Sequence, residues 1–181
     1  MIMSPTLRKL ALIVHITASV GWIGAVVAYL VLVVAAMTGT DTQILRAVWL
    51  AMELIGWLAL VPLAWVSLLT GILMSVTTRW GLFQHYWVLF SFFLTIVATL
   101  VLLEHMQTVS LFADIAAQMD STNLPAMSDG LQSELLHGGV GLLILMVVQV
   151  LNVYKPRGLT PHGWRKQKAQ RAQRQPVDAA I

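Results

Sequence analysis

Few residues in this 181-residue chain can do chemistry: five histidines, eight acidic residues and no cysteine. The missing cysteine excludes disulfides, thiolate metal sites, iron–sulfur clusters and cysteine nucleophiles together. No glycine-rich phosphate loop and no Ser-His-Asp arrangement occurs either. The histidines and acids gather around four long apolar runs. His15 lies in the first run and Glu53 in the second. His85 precedes the third run and Glu104-His105 ends it. Glu134 and His137 open the fourth, and His162 in the tail is given no role.

Two chemistries suit that set, and a bland reading competes with both. Histidines on facing helices can supply both axial ligands of haem b, and glycine beside a ligand lets the backbone approach a porphyrin. His105 with His137, flanked by Gly138, Gly139 and Gly141, is the first candidate pair. His15 is the next candidate ligand, with His85 as its possible partner, and Arg79 is a natural partner for a propionate. The second chemistry is a divalent metal site. Glu134-Leu-Leu-His137 puts a carboxylate and an imidazole on one helical face, so zinc, iron or copper could sit among Glu53, His105, Glu134 and His137. Met106, Met119 and Met127 lie near enough in sequence to suit copper. In the bland reading these residues sit at the headgroup level, Glu53 pairs with Arg46, and the glycines make a close helix contact.

The elements that must position these residues are membrane spans. The chain is 58% hydrophobic and 10% charged, with mean hydropathy +0.79. A soluble domain carries about a quarter charged residues, so that class is excluded, as is a disordered chain. A spanning helix needs about 20 apolar residues. Four segments meet this, at about 10–38, 47–76, 86–105 and 133–154. The first is far longer than the roughly 7–15 residues of a signal-peptide core, so it reads as a retained span. Pro62 warns that the second span is not straight. The expected fold is an all-α, four-helix transmembrane bundle over residues 1–155, with a basic tail over 156–181.

Orientation follows from lysine and arginine. Of the eleven basic residues only Arg46 falls opposite the termini, so both termini are expected to be cytoplasmic. The basic tail then faces anionic inner-leaflet lipids, each charge contributing about 1 kcal/mol. That accounts for the high pI of about 9.6 without nucleic acid. The last 20 residues read as poorly ordered. In the long loop between spans three and four, Val109–Met119 carries Leu111, Ile115 and Met119 at helical spacing, which predicts a short interfacial helix on the outer side.

Helical phase sorts the candidates further. Ser91, Thr95, Ala98, Leu102 and His105 form one stripe of span three, whose small and polar character turns it toward neighbouring helices. His85 lies about 200° around from His105, which makes it an interfacial residue before a ligand. His15 shares a face with Ser19 and Trp22, and His137 with Gly141.

Three stretches carry a resemblance. They are Leu7–Val26, Leu69–Leu103 with its Arg79-Trp80-Gly81-Leu82-Phe83 and Tyr86-Trp87, and the closing His137-Gly-Gly with Tyr154-Lys155-Pro156. Together they resemble a bacterial family of four-helix integral membrane proteins known only as a domain of unknown function. More distantly, a first-span histidine followed by tryptophan–glycine is similar to the copper-resistance D group and to the HemJ-type protoporphyrinogen oxidases, which carry haem b. That resemblance implies a ligand role for His15. The HemJ-type proteins also use a lysine in a later span, and this sequence has none in any span. The resemblance therefore implies haem binding and leaves porphyrinogen oxidation in doubt. The resulting expectation is a haem b protein of the bacterial inner membrane, in electron transfer or haem-linked redox chemistry, with a redox partner or a second copy as companion. Metal binding or transport at the outer Glu/His cluster, and a non-catalytic membrane subunit, are the alternatives. Whether the chain is an enzyme stays open.

Overall fold

The computed structural model describes residues 3–39, 41–77, 81–118 and 124–178. Among them helices carry the whole fold. Helix α1 spans Pro5–Thr38. Ser4 starts it by accepting a hydrogen bond from the Leu7 N–H, and Pro5 sits where a missing N–H costs nothing. Helices α2 (Thr42–Ile55) and α3 (Val61–Thr77) form one span, joined by a π-helical turn at Gly56–Leu60. Pro62 accounts for the turn. It cannot donate to the ladder, and the Val61 N–H reaches back five residues to the Gly56 carbonyl instead of four. Helix α4 spans Tyr86–Ala117, α5 spans Leu124–Tyr154 and α6 spans Pro161–Asp178.

Four helices are long and apolar enough to cross a membrane: α1, α2 continued through α3, α4, and Met127–Tyr154 within α5. Helix α1 packs against α3 and α5, and α4 packs against α2, α3 and α5. The spans therefore stand in a ring in chain order, with the fourth closing back on the first. The core takes Trp22, Tyr29 and Val33 from α1, Trp49 and Met52 from α2, Met106 and Val109 from α4, and Met127 and Leu131 from α5. Trp49 stacks on Phe112 with centroids 4.6 Å apart. Outward faces are apolar, with Leu58, Leu143 and Phe93 well exposed, as lipid contact requires. Lipid gives no hydrophobic drive between helices, so close packing must hold them. Gly138 shows this, since a Cβ there would lie 2.7 Å from Leu30 Cδ2 on α1.

Several expectations change. Residues 109–117 are the last turns of α4 rather than a helix of their own. Their buried positions are Val109, Ala113 and Ala116, continuing from Met106, while Leu111 is exposed and Met119 lies outside the described residues. The stretch is held to span two: Trp57 Nε1–H donates to Ser110 Oγ at 3.0 Å, and Arg46 donates to the Ala117 carbonyl at 2.9 Å. Arg46 thus satisfies the C-terminal end of α4, where a cation is favoured, in place of the expected Glu53 pairing. In the tail, Pro161–Asp178 form helix α6. Thr160 caps α6 by accepting from the Gly163 N–H at 3.1 Å, and its own N–H bonds the Gln84 carbonyl at 3.0 Å. An antiparallel bridge between His85 and Leu159 completes this seam across the terminal end of the bundle.

Candidate functional site

The site is built on α5 at its far end from the chain termini. Glu134 is only 1% exposed, and a buried carboxylate must be hydrogen-bonded or it is costly. Two neighbouring helices supply the bonds. The Tyr29 hydroxyl of α1 donates to Glu134 Oε2 at 2.6 Å. Nε2 of His105, on α4, lies 2.7 Å from the same oxygen. One carboxylate therefore ties three spans together, through bonds of charge-assisted length. The ring of His137 stacks on that of His105, with centroids 4.4 Å apart and planes 16° from parallel. Nδ1 of His137 donates to the Ser133 carbonyl at 2.8 Å.

A cavity of about 320 Å³ opens beside this cluster, between α4 and α5. His105, His137 and Tyr29 form its polar end, and Val97, Val101, Leu136 and Ile144 are among its apolar walls. Leu60 reaches it from the π-helical turn, and Gly141 leaves a bare stretch of α5 backbone on its wall. A Cβ at Gly141 would meet nothing within 4 Å. A second cavity of about 430 Å³ occupies the end of the bundle nearer the termini. His15 lines it, with Nδ1 3.0 Å from Thr70 Oγ1 and 3.2 Å from the Ser67 carbonyl. Gly71 lets α3 approach that imidazole closely.

The structure brings some of the expected residues together and not others. His105, His137, Glu134 and Gly141 gather as one site, and His15 stands in the other cavity. Gly138 borders the site but packs mainly on Leu30. His85 stands at the N-cap of α4 in the seam with Leu159 and is not among the residues lining the cavity of His15. Arg79 lies outside the described residues. The His105–His137 pair does not fit two-histidine ligation of one haem. Imidazole lone pairs lie in the ring plane, so stacked rings direct them side by side rather than at a shared iron, and a porphyrin has no room between rings so close. Nε2 of His105 is also engaged by Glu134. A metal at the expected four-residue set finds no support in the placement. Among the described residues no three His, Asp or Glu side chains converge as a metal site. Met106 and Met127 are buried core residues.

Tyr29 is the member of this cluster that sequence alone did not single out. A signal existed: Trp22, Val26, Tyr29 and Val33 continue the His15–Ser19–Trp22 face, and a tyrosine deep in a span needs a partner for its hydroxyl. No protein-family model, curated protein or solved structure matches the chain.

Proposed function

We propose that the chain is a multi-pass protein of the bacterial cytoplasmic membrane, termini inside, which binds a lipid-soluble molecule in the cavity between α4 and α5. The molecule has a flat apolar body and a hydroxyl or carbonyl head, as a quinol has, and its head exchanges a proton with the Tyr29–Glu134–His105 cluster. The observation that carries this reading is the buried carboxylate of Glu134, bonded by Tyr29 and His105, which with His137 form the polar end of an otherwise apolar cavity. Ionisable groups inside a membrane usually mark proton relays or ligand sites. Apolar pockets with a few convergent polar groups are the usual form of a small-molecule site. The basic residues of the tail would then face anionic inner-leaflet lipid.

The test is thermal unfolding of the detergent-purified protein with a short-chain benzoquinol. A ligand that binds the folded state raises its stability. A saturable rise is expected in the wild type, much reduced in Glu134→Gln and absent in Gly141→Leu, whose side chain fills the cavity. An equal rise in all three proteins overturns the reading.

A second reading keeps haem b, with His137 as its one axial ligand. The bond from His137 Nδ1 to the Ser133 carbonyl favours it, because metal-bound histidines commonly fix their free nitrogen in this way. A Soret band lost in His137→Ala but kept in Glu134→Gln would support it. A protein still colourless after haem supplementation during expression would remove it.

A further inference from the structure

The cavity nearer the termini differs in kind from the one at Glu134. All four spans line it, and among its apolar walls stand the polar groups of His15, Ser19, Ser67, Ser91, Gln149 and Asn152. Ser91 is only 6% exposed, and its Oγ has no hydrogen-bond partner among the described residues. A buried hydroxyl left unpaired is costly, and water is the partner that relieves it. A space of about 430 Å³ with this lining exceeds what a water cluster needs, whereas dry cavities in proteins lack such polar groups. The cavity extends to Lys155, which is exposed at the end of α5.

The two cavities share two lining residues, Trp22 and Leu145, and both are buried. One stripe of α4 also borders both cavities. Ser91 and Thr95 line the polar cavity, and Ala98, Leu102 and His105 line the apolar one.

We propose that the polar cavity is a hydrated vestibule, open on the side of the termini, that supplies water and protons to the Tyr29–Glu134–His105 cluster past a plug formed by Trp22 and Leu145. The proton balance is simple. A proton given by a ligand head to the Glu134–His105 pair passes to vestibule water and leaves as hydronium, which restores the pair. In the opposite direction, hydronium reloads it. The inference rests on the proton-exchange reading above, but its hydration part stands on the vestibule's own geometry.

The absence of cysteine makes the test direct. Ser91→Cys and Gln149→Cys are placed in liposomes and treated with a small charged methanethiosulfonate. Phe93→Cys, on the outward face of α4, is the control. Only a hydrated thiol ionises to the reactive thiolate, so both vestibule variants should label about tenfold or more faster than the control. Rates equal to that of the control for both would overturn the vestibule, while leaving ligand binding at Glu134 to its own test. Proton supply is read with a pH-sensitive dye trapped in the liposomes. Trp22→Ala should raise proton leak several-fold, and adding Glu134→Gln should return it to the wild-type level. Leak that does not rise in Trp22→Ala, or that rises and ignores Glu134→Gln, would overturn the plugged route.

Discussion

Removing both partners of Glu134 should cost far more than the two single losses predict. Tyr29→Phe deletes the hydroxyl that donates at 2.6 Å, and His105→Phe deletes the imidazole at 2.7 Å while keeping a ring of similar shape. A hydrogen bond to a charged group contributes about 1.5–3 kcal/mol in general. Bonds between helices in membranes measure less, about 0.6 kcal/mol on average and up to about 1.7. The lower figure should govern each single change, because the carboxylate keeps one partner. Each is therefore expected to cost about 1 kcal/mol. The double variant leaves a carboxylate that is 1% exposed with neither partner, and breaking a buried pair in that way costs about 3–5 kcal/mol. The coupling should thus be about 1–3 kcal/mol beyond additivity, within the range seen for residues sharing a network. Equilibrium unfolding in mixed micelles measures all four corners of the cycle. Adding Glu134→Met to the double variant should recover most of the loss, since an apolar side chain needs no partner. A double variant additive to within about 0.5 kcal/mol, with no recovery from Glu134→Met, would refute the claim that Glu134 depends on these two bonds.

Other expectations follow from single contacts. Gly138→Ala should destabilise by about 1–3 kcal/mol, because its methyl would press on Leu30, whereas Gly139→Ala and Gly141→Ala meet open space and should unfold no more readily than wild type. Trp49→Ala empties a fully buried site stacked on Phe112 and should cost about 3–5 kcal/mol in the same unfolding assay. Gly163→Ala should release the start of α6, because its Cβ would strike the backbone carbonyl of Gln84, which cannot give way as a side chain could. Hydrogen exchange over residues 158–165 should then accelerate, and unchanged protection would show that the seam does not hold the tail.

The four spans were legible because their signal is long and unbroken, and lipid forces a helix on any such run. Depth was legible as well: counting along the spans brings His105, Glu134 and His137 to one level. The α4 stripe from Ser91 to His105 was read correctly as inward-facing, and every member lines one of the two cavities. Rotation and ring orientation were not legible. Helical phase puts His105 and His137 near each other, but it cannot tell stacked rings from rings opposed across an iron, and that distinction decides the ligand chemistry. Tyr29 was not legible as a site residue, because a tyrosine in an apolar run reads as packing. The start of the tail helix was not legible either. Its composition is polar throughout, and only the Thr160 cap and the Gln84 contact show why a helix begins there.

The most direct test of the central claim is photo-crosslinking with a quinol analogue that carries its reactive group beside the head. The account predicts adducts within α4 and α5, around His105 and His137, competed away by unlabelled quinol and lost in Gly141→Leu. Adducts spread over the lipid-facing surfaces, insensitive both to competitor and to Gly141→Leu, would contradict it.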